Sequence, residues 1–328
     1  MTSTICYSII LLLVIIGVLI ISSPASAQLP IAPQSTTTNN FTQINYPGAN
    51  STISAGINDD GKIVGMYLDN ALNQHGFVLD SGNYTSFDYP GANSTTGAGI
   101  NNAGEIIGYY TDSSKIYHGF LLSSGNYTKI DYPGSSDTLT FGINNAGKIV
   151  GYYTDSSKVQ HGFLLSSNTY TRIDYPSSSD TLAFGINNAG QIVGTYIDSS
   201  KIPHSFLLSS GIYTSVDYPN ATVTTSAGIN DAGKIVGMYV DNSRNQHGFL
   251  LSSGTYSITD YPGANSTTNT AINNAGQIVG MYIDSSLNQH GFLLNTITVQ
   301  TPPEFSLALG GIIAMSAVGG IVLYKRFV

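Results

Sequence analysis

The sequence predicts an all-β protein: a six-bladed β-propeller of four-stranded blades, with an N-terminal signal helix and a C-terminal transmembrane helix. Three observations lead there. A motif recurs six times at a spacing of 43 residues, its strands are apolar on both faces, and an apolar run lies near each end of the 328-residue chain.

The spacing comes first, because self-similarity at a fixed period sets the architecture before any local reading. Tyr-Pro pairs begin at Tyr46, Tyr89, Tyr132, Tyr175, Tyr218 and Tyr261, each 43 residues after the last. The six histidines, His75, His118, His161, His204, His247 and His290, keep that register. So do Asp69, Asp112, Asp155, Asp198, Asp241 and Asp284.

One copy, Gly99 to Pro133, shows what the unit is. Gly99-Ile100-Asn101 is a short apolar stretch, and Asn102-Ala103-Gly104 supplies turn residues that accept positive φ before Glu105 to Tyr110 reads EIIGYY. Thr111 to Ser114 is a second turn, in which Asp112 can bond the backbone two residues on, and His118 to Leu122 follows as a third strand. Ser123 to Asn126 turns again, and Tyr127 to Tyr132 is a fourth strand ended by Pro133, which suits an edge.

In Lys148-Ile149-Val150-Gly151-Tyr152-Tyr153, residues pointing opposite ways are equally hydrophobic, whereas a sheet with one wet face alternates. Such a sheet needs cover on both sides. Stacking sheets around an axis provides it, and four strands in about 40 to 50 residues is the usual blade. After Leu294 the sixth copy lacks its Tyr-Pro strand, while Phe41 to Pro47 reads as a fourth strand standing before the first copy. That strand is expected to complete blade six, the alternative being that Thr296 to Val299 closes the sheet.

Composition narrows the functions. Apolar residues make up 41% and charged residues only 9%, enough for a real core and a surface of Ser, Thr, Asn, Gly and Tyr. From Gln28 to Phe305 there are nine Lys or Arg against nineteen Asp or Glu, a net charge of −10. Nucleic acid is a poor partner for that surface, because phosphate binding needs clustered cations. The one cysteine, Cys6, lies in the expected leader, so disulfides, thiolate metal sites and cysteine nucleophiles are excluded from the body.

The ends give an address. Ile9 to Ile21 is apolar and is followed by Ala25-Ser26-Ala27, so residues 1–27 read as a signal peptide cleaved after Ala27, although no Lys or Arg precedes the apolar run. Residues 28–40 read as a flexible lead, 41–299 as the propeller, and 300–305 as a stalk. Ser306 to Tyr324 is nineteen uncharged residues, roughly 28 Å of helix, which spans a bilayer core. Lys325 and Arg326 open a basic tail, 325–328, that belongs on the cytoplasmic side and leaves the repeats extracellular, anchored to the cell membrane.

Pro303-Glu304-Phe305, the span and the basic tail together resemble the archaeal PEF-CTERM sorting signal. The resemblance implies an archaeosortase-type processing enzyme as a partner, cleavage near the tripeptide and transfer to lipid; the alternative is a plain retained anchor. Gly142 to Tyr152, reading GINNAGKIVGY, followed by His161-Gly162-Phe163, resembles the extracellular HAF-family repeats. The match runs over Ile44 to Leu294, with Gly or Ser205 in place of the family's Ala after His, and Thr195 where other copies have an aromatic or Met. It implies location and architecture; the family brings no established chemistry.

Candidate sites are weighed against that background. The histidines begin the third strand, about 9 to 10 Å out from the first at the usual strand spacing, so they diverge, whereas zinc needs ligands ~2 Å from one point. They are expected to be structural, each imidazole bonding the turn that carries Asp112 or its equivalent, with no metal and no cofactor. Asp88, Asp131, Asp174, Asp217 and Asp260, before each Tyr-Pro, are expected to be solvated. No catalytic constellation stands out; Glu105, the one glutamate of the repeats, and Asp180 are the carboxylates that an enzyme would have to use. Sequons at Asn40, Asn50, Asn83, Asn93, Asn126, Asn220 and Asn265 fit a glycosylated exported body. The reading is a non-enzymatic cell-surface protein for adhesion, envelope structure or multivalent binding of a glycan or protein partner, with Tyr109, Tyr110, Tyr152, Tyr153, Tyr127 and Tyr132 as contact types. A polysaccharide-active enzyme and an inert glycosylated scaffold are the alternatives.

Overall fold

The computed structural model describes residues 35–300, and every regular element among them is a strand. In the first repeat these are β2 (Ser51–Ile57), β3 (Ile63–Leu68), β4 (Gln74–Asp80) and β5 (Asn83–Phe87), paired in that order into an antiparallel meander. The next four repeats build the same sheet from β6–β9 (Ser94–Ile130), β10–β13 (Asp137–Ile173), β14–β17 (Asp180–Ser215) and β18–β21 (Val223–Ile258). The sixth holds β22 (Ser266–Ile272), β23 (Ile278–Ile283) and β24 (Gln289–Gln300), and its fourth strand is β1 (Ser35–Ile44) from the other end of the chain. The strand read at Phe41 thus lies beside β24, tying the last blade with the first strand.

Six hydrophobic cores lie between the blades, one at each joint. Alternation along β3 explains the arrangement. Ile63 and Tyr67 face one way, with Phe77 from β4, and meet Val279 of blade six; Val64 faces the other way and meets Ile100, Ile106, Tyr110 and Phe120 of blade two. One fully buried Phe serves each joint: Phe77, Phe120, Phe163, Phe206, Phe249 and Phe292 are all 0% exposed. Burying each such ring is worth about 3 kcal/mol, and the closing joint, with Ile44 and Val279 against blade one, is built like the others.

The Tyr-Pro residues leave the strand and fold back. In blade three β13 (Thr169–Ile173) ends before Tyr175, and each Tyr-Pro ring stacks on the second-strand tyrosine of the blade it leads into: Tyr132 on Tyr153 at 3.6 Å, Tyr175 on Tyr196 at 3.6 Å. The fourth-strand tyrosine meets that stack edge-on, as Tyr127 does against Tyr89 at 5.2 Å. Such aromatic columns explain how a body without Trp fills its joints.

Candidate functional site

Both ends of the axis are built from the inner strands. At one end each β2-type strand runs into Asn58, Asn101, Asn144, Asn187, Asn230 or Asn273, all buried. The Oδ1 of Asn187 accepts the Gln191 N–H of its own turn at 2.9 Å, while its Nδ2 donates to the Asn230 carbonyl in the next blade at 3.1 Å. The same link passes round all six blades and closes from Asn273 to the Asn58 carbonyl at 3.0 Å. A second ring lies outside it: each next residue donates its N–H to the side-chain oxygen of its equivalent one blade on, from Asp59 to Asn102 and finally from Asn274 back to Asp59 at 2.8 Å. Hydrogen bonds from the Asn102 and Asn274 amides, working against partial burial, hold the Asp59 carboxyl below its usual range. The two rings lock the blades together around a small recess of about 70 Å³ at that end.

The rest of the axis is hollow. A cavity of about 420 Å³ rises from a floor of Ile57, Ile100, Ile143, Ile186, Ile229 and Ile272 toward the end that carries Gln74 and Thr96. That end also holds the β3–β4 turns and the Tyr-Pro loops, whereas β24 carries the chain out of the body at the asparagine end. Phe141, Phe184 and Tyr109 form one wall, and Ala55, Ala98, Ala227 and Thr270 stand at the positions equivalent to the two Phe residues. Phe141 meets Phe184 edge-on at 5.1 Å and stacks on Tyr152 at 5.5 Å. Burial raises both phenols, Tyr152 to about 12, so the aromatic wall is uncharged at any physiological pH.

None of the six histidines lines this cavity; they stand at the starts of the third strands. Each joins two parts of its own repeat. His118 Nε2 lies 3.3 Å from Asp112, whose other oxygen accepts the N–H groups of Ser114 and Ile116, so the aspartate closes the turn and orients the ring. The Asx-type turn recurs at Asp69, Asp155, Asp198, Asp241 and Asp284. The carboxylates before Tyr-Pro are part-solvated, 33 to 47% exposed, and each also meets a ring: His75, His118, His161, His204 and His247 place Nδ1 2.7 to 3.0 Å from Asp88, Asp131, Asp174, Asp217 and Asp260. In blade six Asn45 takes that place, 3.1 Å from His290. Among the described residues no group of three or more side chains is arranged to hold a metal ion.

The remaining candidates separate. Of the tyrosines offered as contacts, Tyr110 and Tyr153 are buried, Tyr127 and Tyr132 are packed into the aromatic columns, Tyr109 lines the axial cavity, and Tyr152 stacks on Phe141 of its wall. Glu105 accepts hydrogen bonds from Asn101 and Ser123, and Asp180 accepts from the Gln160 N–H; neither lines the axial cavity. All seven sequon asparagines are exposed, and Asn50, Asn93 and Asn265 donate their amides to the carbonyls of Asp69, Asp112 and Asp284. Ala25, Ala27, Pro303, Glu304, Phe305 and the segment 306–328 lie outside the described residues. The asparagine rings and the cavity were not foreseen, although an Asn after each Gly-Ile or Ala-Ile pair, in all six copies, was a signal for the first.

No protein-family model matches the chain, and no characterised protein matches it in sequence. Solved structures share its fold. TolB from Acinetobacter baumannii superposes with a TM-score of 0.53 at 13% identity, over 72% of this chain and 64% of that one. The β-propeller domain of the Trilobed protease from Pyrococcus furiosus gives 0.51 at 11% identity, over 80% and 84%. AofleA from Arthrobotrys oligospora gives 0.50 at 11% identity, over 81% and 91%. At such identities the likeness establishes the fold, and the fold is a six-bladed β-propeller of four-stranded blades.

Proposed function

We propose that the protein is a non-enzymatic module of the cell surface that makes multivalent contact with glycans through the face bearing the Tyr-Pro loops. The observation that supports this reading is directional. All six Tyr-Pro loops and all six β3–β4 turns crowd one end of the ring, and β24 leaves the body at the other. Together these loops and turns make one repeated face on the ring. Six equivalent weak sites on one rigid ring gain avidity without any new contact. The HAF-like repeats, the apolar span at 306–324 and the PEF-CTERM-like Pro303-Glu304-Phe305 support an extracellular, anchored location, with an archaeosortase-type enzyme exchanging the span for lipid.

The test is a glycan-array and cell-binding screen with the full chain, alongside mass spectrometry of the native C-terminus. Repeated-site binding, weakened in steps as loops are altered blade by blade, is the expected result. Binding abolished by one carboxylate change, with polysaccharide turnover, would transfer the reading to an enzyme. A folded chain that binds no glycan would leave a scaffold or a protein partner.

A further inference from the structure

The axis is where the six copies stop being alike. In every blade the pairing of the first two strands skips one residue, so that Thr140 faces Gly151 and Gly142 faces Val150 while Phe141 faces nothing. The same bulge strands Ala55, Ala98, Phe184, Ala227 and Thr270. Bulges re-aim side chains, and all six stranded residues line the axial cavity. The bulge also dictates a glycine: a Cβ at Gly151 would fall 2.0 Å from the Leu139 carbonyl oxygen, and the equivalent glycines stand at 1.9 to 2.0 Å. A device with that demand recurs in every copy, yet its product differs, Phe in the adjacent blades three and four and a small residue in the other four.

The consequence is a one-sided cavity. Phe141 and Phe184, backed by Tyr109 and Tyr152, form an aromatic wall, and the space opposite is left by Ala55, Ala98, Ala227 and Thr270. At about 420 Å³ it falls in the range of small-molecule sites, isoleucines line it toward the asparagine end, and no charged side chain lines it. Uncharged donors and acceptors, Gln74, Thr96 and Thr225, stand above the apolar floor. We infer that the axial cavity is a single small-molecule site for a neutral amphiphile, with one flat apolar ring against the Phe141–Phe184 wall and a hydroxylated head at the rim. This goes beyond the loop-face reading and does not depend on it.

Phenyl β-D-glucoside is the probe, with benzyl alcohol and D-glucose as its separate halves, titrated calorimetrically to about 10 mM into the full chain in lipid nanodiscs. The expected result is one phenyl glucoside per chain, weaker binding of benzyl alcohol and none of glucose. Ala227→Phe adds a third ring at a position where two blades already hold Phe. It should weaken binding about tenfold or more while leaving the melting temperature unchanged; Ala55→Phe repeats the test from blade one should the first variant melt early. Failure of the unaltered chain to bind phenyl glucoside saturably, or equal binding by Ala227→Phe and Ala55→Phe, would overturn the inference. Several sugars bound per chain and indifferent to both variants would support the loop-face reading and still sink this one.

Discussion

The joints between blades and the axis they surround are made from the same six repeats, yet they obey different rules. At the joints the chemistry is uniform: the same Phe at 0% exposure, the same Tyr-on-Tyr stack at 3.6 to 3.7 Å, the same Asn-to-carbonyl link. At the axis the backbone is uniform and the side chains are not. Positions that hold the ring together have one answer, since each blade must fit two neighbours. The bulge positions line the axial cavity and have no partner on the neighbouring strand, so they can differ, and that is where a single, asymmetric site can arise within a symmetric body.

The largest effect should come from breaking a joint. Phe163→Ala removes a fully buried ring and leaves a void, which costs about 3 to 5 kcal/mol. The sharper expectation is uniformity: Phe77→Ala and Phe249→Ala should cost the same within about 0.5 kcal/mol in denaturant titrations, whereas a wide spread would show that the joints are not equivalent.

Removing one link of the inner ring comes next. Asn144→Ala deprives the Lys148 N–H and the Asn187 carbonyl of their partners, both on the buried side of the turn, and should cost about 2 to 3 kcal/mol. Asn273→Ala does the same at the closing joint, where the bond spans 215 residues of sequence. Equal melting shifts for the two variants are expected, because the closing bond has the length of the others; a larger loss for Asn273→Ala would mark closure by β1 and β24 as the weak point.

These two predictions concern parts of the fold that were unequally legible. The period, the four strands and the early strand at Phe41 could be read because hydrophobic alternation is local, and because a missing strand at one end matched a spare one at the other. The asparagine links could not, since a bond from Asn187 to the Asn230 carbonyl exists only once the neighbouring blade is placed. The bulge at Phe141 hid for another reason: an extra residue present in every copy leaves the period untouched. Asp88 and its equivalents were legible as solvated, but their bonds to the histidines were not, because the contact exists only once the loop after β5 turns the carboxylate onto His75.

Protonation adds a pH dependence to this packing at His75 and His247. Burial lowers His75 and His247, but Asp88 with Asp69, and Asp260 with Asp241, outweigh it, so both imidazoles titrate above their ordinary 6.5. A raised histidine contributes fully below pH 6.5, and its contribution is lost as pH rises through the folded value. The turn aspartates are depressed, by the Ile116 N–H and His118 at Asp112, and by the Asn288 N–H and His290 at Asp284, which falls to about 2. Their contribution is present above 3.8 and lost as pH falls toward 2. Stability should therefore be greatest between about pH 4 and 6.5, with a shallow alkaline decline of under about 1 kcal/mol per solvated pair. Melting curves from pH 2 to 9 on His75→Gln and His247→Gln should show the alkaline limb flattened and the acid limb retained; an unchanged alkaline limb in the double variant would place its origin elsewhere.

The smallest effect is a gain. At each β3–β4 turn one residue takes a left-handed backbone, and in the two blades joined by ring closure it is a leucine: Leu72 at φ 66° and Leu287 at φ 67°. A leucine is disfavoured there by roughly 1 kcal/mol, and Leu287 recovers little of that through burial, being 77% exposed. Leu287→Asn suits the conformation, since a short polar side chain tolerates it, and should raise stability by about 0.5 to 1 kcal/mol. Thermal melts of Leu72→Asn, Leu287→Asn and the double variant measure it, and the two gains should add because the turns share no partner. A loss on either substitution would show that the leucine makes a contact worth more than its strain, setting this pair of turns apart from the Lys and Arg turns of the other four blades.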